Sequence, residues 1–262
     1  MQALSTAATG MAAQQLNVEV ISNNIANMNT VGYKRQRAEF EDLLYQTMEQ
    51  PGSQSSSSGT IVPTGVQIGA GVKAGSVYRI TTQGNLTQTS NQLDLAINGR
   101  GYFQVLLPTG ENAYTRAGNF SVNDQGQIVT TDGYLVQPTI TIPQNATSVT
   151  ISKTGQVQVT IPGSSTPTVV GQMQLSTFVN EGGLEATGNN LYMESAASGP
   201  PTTALPGATG MGDLMQGYTE ASNVDPVSEI TSLISAQRAY EMNSKVVTAA
   251  DQMLSTAASV KT

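Results

Sequence analysis

Glu39, Glu41 and Asp42 form a close set of carboxylates, and paired carboxylates are a starting point for general acid–base chemistry. Lys34, Arg35 and Arg37 stand just before them. Opposite charges this close compensate one another, so the stretch reads first as a solvated, neutralised face and only second as a site. Gly69-Ala-Gly71-Val-Lys-Ala-Gly75 has the glycine density of a phosphate loop. It matches neither the dinucleotide fingerprint nor the GK[ST] ending of a nucleotide loop, and no helical pattern follows, so strand or bulge glycines are expected. Asn123-Asp-Gln-Gly126 lacks the spaced ligands of a calcium loop and reads as a turn. Asn85, Asn119 and Asn145 each begin an Asn-x-Ser/Thr triplet, and these read as chance matches. Histidine and cysteine are absent, which removes imidazole bases, thiolate nucleophiles, disulfides and the commonest zinc ligands. No catalytic residue, cofactor or metal is expected. An enzyme would have to work with carboxylates alone, such as Glu39, Glu41 or Asp94.

The elements that would position such residues point elsewhere. The 262 residues suffice for one large domain or two to three small ones. Charged residues make up 11%, less than half the usual share of about 25%. Gly, Ser, Thr, Gln and Asn take their place, giving a polar, weakly charged surface that can pack closely without strong repulsion. The net charge of -7 argues against nucleic acid, which calls for clustered Lys and Arg. No run approaches 18 apolar residues, so no membrane span is expected. The first basic residue is Lys34, so no secretory signal is expected; export, if it occurs, is expected without cleavage.

Both ends carry helical periodicity. Leu4, Met11, Val18 and Ile25 are seven apart, with Ala7, Ile21 and Met28 on the companion stripe and Gln14 its one polar member. Ala12, Leu16 and Val20 form a second apolar set pointing away from the first, since a helix turns about 100° per residue. At the other end Leu233, Tyr240, Val247 and Leu254 step by seven, accompanied by Ala236, Asn243, Ala250 and Ala257. Val246, Met253 and Val260 broaden that face, and Asp225-Pro226 supplies a start. Heptads sustained over several repeats point to helix association. The alternative is that both helices cover one face of an intramolecular core.

The middle reads as β structure. Ser148 to Ile161 alternates around a turn at Lys153-Thr-Gly155. A second hairpin runs through Phe120 and Val122, turns at Asn123 to Gly126 and returns through Ile128. Asp132-Gly133 marks another turn before Tyr134, and Tyr102 to Leu107 reads as a strand. Gly199-Pro-Pro201 to Gly212 reads as a loop or linker, and Pro51 to Gly59 as a low-complexity surface loop. Ile61 to Val72 suits an extended or irregular strand. The fold class is mixed α and β: terminal α-helices forming a coiled coil, with an all-β middle region.

The two ends also resemble a known family. Ser22-Asn-Asn-Ile-Ala-Asn27 is followed by Asn29-Thr-Val-Gly32-Tyr33-Lys34. Near the other end stand Ser222-Asn223-Val-Asp225, Ala236-Gln237-Arg238-Ala-Tyr240-Glu241 and Asn243-Ser-Lys245. With both signatures in one chain, it is similar to the rod and hook family of bacterial flagellar axial proteins. Asn23, Asn24, Asn27, Gly32, Tyr33, Asn223, Gln237, Arg238, Tyr240 and Asn243 carry the likeness. Ala96-Ile-Asn-Gly-Arg-Gly-Tyr-Phe103 resembles the family's approach to its outer β domain, and Ala113-Tyr-Thr-Arg116 continues it. Tyr45 to Val72, with Gln50, Pro51, Gly52, Gly65 and Gly69, resembles the insertion of the family's distal-rod branch.

The resemblance implies a structural subunit of the distal rod, exported by the flagellar type III apparatus. It would polymerise with itself into a rigid hollow helical shaft that transmits torque and passes exported subunits. Proximal rod proteins would lie below it, hook protein above, and the P and L rings around it. It implies a coiled-coil core of residues 1–33 and 224–262, a connecting domain of 34–95 and 200–223 with the insertion at 45–72, and an outer β domain of 96–199. Leu4, Met11, Val18, Ile21, Ile25, Leu233, Tyr240, Val247 and Leu254 would then form the seam between helices and between subunits. The alternatives are a proximal rod or hook subunit of the same family, and a β-rich adhesin-type binding protein.

Overall fold

The structure, a computed structural model, describes residues 2–52, 64–163 and 166–260. It is mixed α and β, and it divides into two compact units. The first comprises residues 1–25, 36–78 and 225–262; the second comprises 26–35 and 79–224. The Ser/Gly stretch expected as a surface loop falls mostly outside the described residues, as does the start of the Ile61 to Val72 segment.

The first unit holds the two helices, α1 (Gln2–Ala26) and α2 (Pro226–Val260). An alanine-rich run without proline sustains α1. The helix gives way to turns before Gly32, whose φ of 71 is left-handed backbone. Asp225 caps α2: its Oδ1 accepts the Val227 N–H at 3.3 Å and its carbonyl the Glu229 N–H at 3.0 Å. Asn24 meets Glu229, and Gly10 lies against Asn243. Moving from residue 24 to 10 on α1 therefore matches 229 to 243 on α2, so the helices run antiparallel there. Glu229, Ala236 and Ala250 are buried, with Leu233, Asn243 and Val247 half-buried between them.

The same unit carries a two-stranded ribbon. Strand Gln36–Asp42 pairs with Val72–Arg79, and Tyr45–Glu49 pairs antiparallel with Val66–Gly69. The glycines at 69, 71 and 75 sit in or between these strands, as expected of strand glycines and not of a phosphate loop.

The second unit is built on a seven-stranded antiparallel sheet. Its order is Glu185–Gly188, Leu191–Met193, Asn112–Thr115, Phe103–Leu106, Leu135–Gln137, Ile128–Val129 and Ser121–Val122. The strand at Phe103–Leu106 and the turns at Asn123 to Gly126 and Asp132-Gly133 fall where the alternation places them. Ser148–Ile151 and Gln156–Thr160 form the other expected hairpin, extended by Thr168–Gln172. The loop expected over 199–212 is only partly a loop. Thr202–Ala204 pairs with Leu175–Thr177, because β-branched threonines follow the two prolines and extend along a free strand edge. Phe103, Val105, Ile97, Val157, Val159 and Leu175 are fully enclosed in one core, and Phe103 meets Phe120 edge-on at 4.9 Å between ring centres.

Candidate subunit interface

In α1, Leu4, Met11, Val18 and Ile25 are half-buried and Ile21 is buried. In α2, Leu233 and Val247 are half-buried, whereas Tyr240 is 42% and Leu254 47% exposed. The antiparallel match explains Leu254. Counting back from the Gly10–Asn243 contact, α1 runs out near residue 252 of α2, so Leu254 has nothing opposite it. The second apolar sets divide in the same way. Val20 is buried and Leu16 half-buried, but Val246 and Met253 stand in the open with Val227, Ile230, Ile234 and Met242. Nothing is said of the Val260 side chain, which lies outside the described residues.

The asparagines of the first signature do structural work. Asn24 Oδ1 accepts the Gln36 N–H at 2.9 Å while its Nδ2 donates to the Gln36 carbonyl at 2.8 Å, clamping the ribbon's first residue. The same amide donates to Glu229 Oε2 at 3.1 Å, so one buried side chain ties α1, α2 and the ribbon. Asn23 is exposed, and Asn27 accepts the Thr30 hydroxyl at 3.1 Å in the turn that follows. In the second signature Gln237 and Arg238 are exposed, and Asn243 faces Gly10. A methyl group on Gly10 would come within 2.9 Å of the Asn243 amide, so the glycine sets how closely the helices approach.

Of the insertion residues, Gln50, Pro51 and Gly52 are exposed, the latter two in a turn. Gly65 has no room for a side chain, since a Cβ would meet the Glu49 carbonyl at 2.2 Å. Gly69 lies under the Tyr45 ring. Leu44, Tyr45, Met48, Val66 and Ile68 are all exposed around it. A two-stranded ribbon is marginal by itself in water, and this one carries apolar side chains with no sheet behind them.

The acidic stretch is solvated and paired: Arg37 with Glu39 at 3.1 Å, Lys73 with Glu41 at 2.9 Å, all four well exposed. Lys34 does not belong to that face. It is 3% exposed in the second unit, where its Nζ donates to Glu220 Oε1 at 2.5 Å and to the Thr82 carbonyl at 2.9 Å. Glu220, 1% exposed, also accepts Arg116 Nε at 2.6 Å and the Gly84 N–H at 2.9 Å. Arg116 turns its remaining donors on the carbonyls of Ile97, Gly99 and Gly101. Burial pulls the Lys34 ammonium below the ordinary lysine range, against the opposing pull of Glu220. Gly32 completes this joint: its N–H donates to the Glu220 carbonyl at 2.8 Å, and a Cβ would meet the Ala117 nitrogen at 2.7 Å.

Asn223 acts beside it. Its Oδ1 accepts the Arg35 N–H at 2.7 Å, and its amide donates to the carbonyls of Ile80 and Thr82. Tyr33 is buried nearby in sequence. The signature residues from Gly32 to Lys34 and Asn223 thus hold three distant segments of the chain together. Glu220 was not among the residues singled out from sequence. Its one signal was an acid two residues before Ser222-Asn223. Tyr102, Tyr114, Phe178 and Tyr192 form a separate aromatic cluster, with Arg79 over the Tyr192 ring at 4.8 Å.

The arrangement is that of a structural subunit: a closed β unit, and a helical unit with open apolar faces. Residues 4–34 match the family described as flagella basal body rod protein, 96–159 the flagellar hook protein FlgE/F/G D1 domain, and 215–260 the flagellar basal body rod FlgEFG protein C-terminal region. The chain is 74% identical to the flagellar basal-body rod protein FlgG of Caulobacter vibrioides, over 97% of each chain. It is 52% identical to that of Agrobacterium fabrum, again over 97% of each, and 46% identical to that of Borreliella burgdorferi, over 100% of this chain and 99% of the relative. The flagellar basal-body rod protein FlgF of Caulobacter vibrioides is more distant, at 36% over 88% of this chain. The chain belongs to the FlgG family of flagellar basal-body rod proteins.

Proposed function

We propose that this protein is a structural subunit of the distal rod, polymerising with itself into a rigid hollow shaft. The observation that carries the reading is α2, whose buried residues face α1 while Val246, Met253, Ile230, Ile234 and Met242 remain in water. At about 25 cal/mol per Å², covering a few hundred Å² of such surface contributes several kcal/mol before ordering costs. Repeated heterologous contacts build an open helix where isologous ones would close a dimer. The helices of residues 1–33 and 224–262 form a coiled-coil core in the polymer, with Leu4, Met11, Val18, Ile21, Ile25, Leu233, Tyr240, Val247 and Leu254 along its seams. Residues 34–95 and 200–223 connect it to an outer β domain of 96–199. The protein is not an enzyme; it transmits torque and encloses the path of exported subunits.

Its neighbours are proximal rod proteins below, hook protein above and the P and L rings around it, after export through the type III apparatus without a cleaved signal. The ribbon and insertion at 45–72 lie between adjacent subunits and stiffen the tube. No described helix is long and apolar enough to cross a membrane, in keeping with a shaft that passes through the envelope inside its rings. Electron microscopy of basal bodies carrying a labelled copy tests the assignment: label confined to the rod beneath the hook supports it, and label elsewhere overturns it. Deleting residues 51–69 is expected to give curved or flexible polymers, and straight, equally stiff ones would refute the role of the insertion.

A further inference from the structure

A groove of about 480 Å³ runs along one flank of the helical pair. Val18 and Tyr240 form its apolar walls, Gln15 and Gln237 its polar edges, and Glu19 and Glu241 its charges. Both carboxylates are exposed; Glu19 accepts the Gln15 amide at 3.1 Å, and neither forms an ion pair among the described residues. The flank is therefore anionic, with an aromatic ring at its base. The sequence of α1 contains no Lys or Arg at all, so nothing on that helix neutralises it.

The matching cations lie on the same protein but on another face. Ala236 is buried against α1 and marks the inner side of α2. At about 100° per residue, Arg238 lies about 200° from it and Lys245 about 180°, on the back of α2. Both are exposed and without an ion-pair partner among the described residues. Val227, Ile234 and Met242, also exposed, surround them on that back face. One face thus offers apolar groups with two acids and a tyrosine ring; the other offers apolar groups with two bases seven residues apart. Within one chain they cannot meet, because they are different sides of the same helix.

We infer that the back of α2 in one copy, through Arg238 and Lys245, docks into the flank groove of a second copy, against Glu19, Glu241 and the face of Tyr240. This rests on the homopolymer reading and supplies its register. A back-to-flank contact is heterologous, so each copy keeps one free donor face and one free acceptor face, and the array stays open. Enclosure between apolar walls removes the screening that makes isolated surface pairs weak, and a guanidinium over Tyr240 adds a cation–π contact.

The test uses the full-length chain, with polymer formation followed by sedimentation and electron microscopy. The double variants R238E/K245E and E19K/E241K each convert attraction into repulsion and are expected to raise the critical concentration at least about tenfold. All four positions are exposed, so circular dichroism and urea unfolding of the monomer should match the parent. The quadruple variant R238E/K245E/E19K/E241K restores the complementarity with its sign reversed and should recover assembly to within about threefold of the parent. Recovery with the same helical lattice confirms the pairing. Parent that polymerises while both doubles polymerise equally well overturns the docking but leaves the homopolymer reading intact. Loss in the doubles without rescue in the quadruple also overturns it. Parent chain that stays monomeric under all conditions sinks the homopolymer reading and this contact with it.

Discussion

The two units of this protein bury their apolar residues in opposite ways. In the second, Phe103, Val105, Ile97, Val157 and Leu175 are wholly enclosed, and the buried charges at Lys34, Arg116 and Glu220 satisfy one another and nearby carbonyls. In the first, α2 has only Glu229, Ala236 and Ala250 fully buried over 35 residues. Alanine removes little area from water, so the helical pair gains little from its own contact. A sheet closes over its core within one chain, whereas two helices and a ribbon leave flanks that only further helices can cover. Stability is thus complete in one unit and deferred in the other.

The comparison breaks most visibly at Phe103. Phe103→Ala removes an enclosed ring and its edge-on contact with Phe120, and should cost about 3–5 kcal/mol in urea unfolding of the monomer. Glu220→Gln is expected to cost about 3 kcal/mol, because it leaves two buried cations facing each other without their anion. Lys34→Met, which leaves Arg116 with its partner, should cost less. Equal losses for the two variants would show that the joint is held by packing alone.

Sequence pattern made the local features of both units legible and missed what joins distant segments. Seven-residue spacing marked both helices, and Asn123 to Gly126, Asp132-Gly133 and Lys153 to Gly155 marked turns, because these signals lie within a few residues of each other. The charge joint gave no such signal. Lys34 lies 186 positions from Glu220, and Arg116 lies 104 from it. The acids nearer in sequence, Glu39 and Glu41, suggested a solvated cluster that Lys34 never joins. Thr202–Ala204 was hidden for a similar reason: its partner strand is far away and two prolines precede it. Among the interface residues, Leu233 and Leu254 belong to one stripe, yet only the first has α1 opposite it, a matter of helix length that periodicity does not record.

A smaller effect is expected at high pH, again in the second unit. Burial, then the charge of Glu181, pushes the Tyr102 hydroxyl well above the ordinary tyrosine range. Its folded pKa exceeds the unfolded value of about 10, so the stability it contributes is whole below pH 10 and falls as pH rises through the folded value. The slope is about 1.4 kcal/mol per pH unit for one such group. Tyr102→Phe should flatten that fall between pH 10 and pH 11, and an unchanged slope would mean that Tyr102 ionises freely in the folded protein.

The smallest effect on the monomer should come from the open face of α2, and it discriminates most sharply between the units. Val246→Gln and Met253→Gln replace exposed side chains, 47% and 66% accessible, in a helix that glutamine sustains well. Monomer unfolding should move by no more than about 0.5 kcal/mol, since nothing in the single chain covers either residue. Polymerisation should nevertheless weaken by about tenfold or more in critical concentration, because each substitution removes area that only a neighbouring copy can bury. Phe103→Ala should do the reverse, lowering the folded fraction while leaving the affinity of folded subunits near that of the parent. If the α2 substitutions destabilise the monomer as much as the polymer, that face is already covered within one chain, and the contrast between a finished unit and an unfinished one fails.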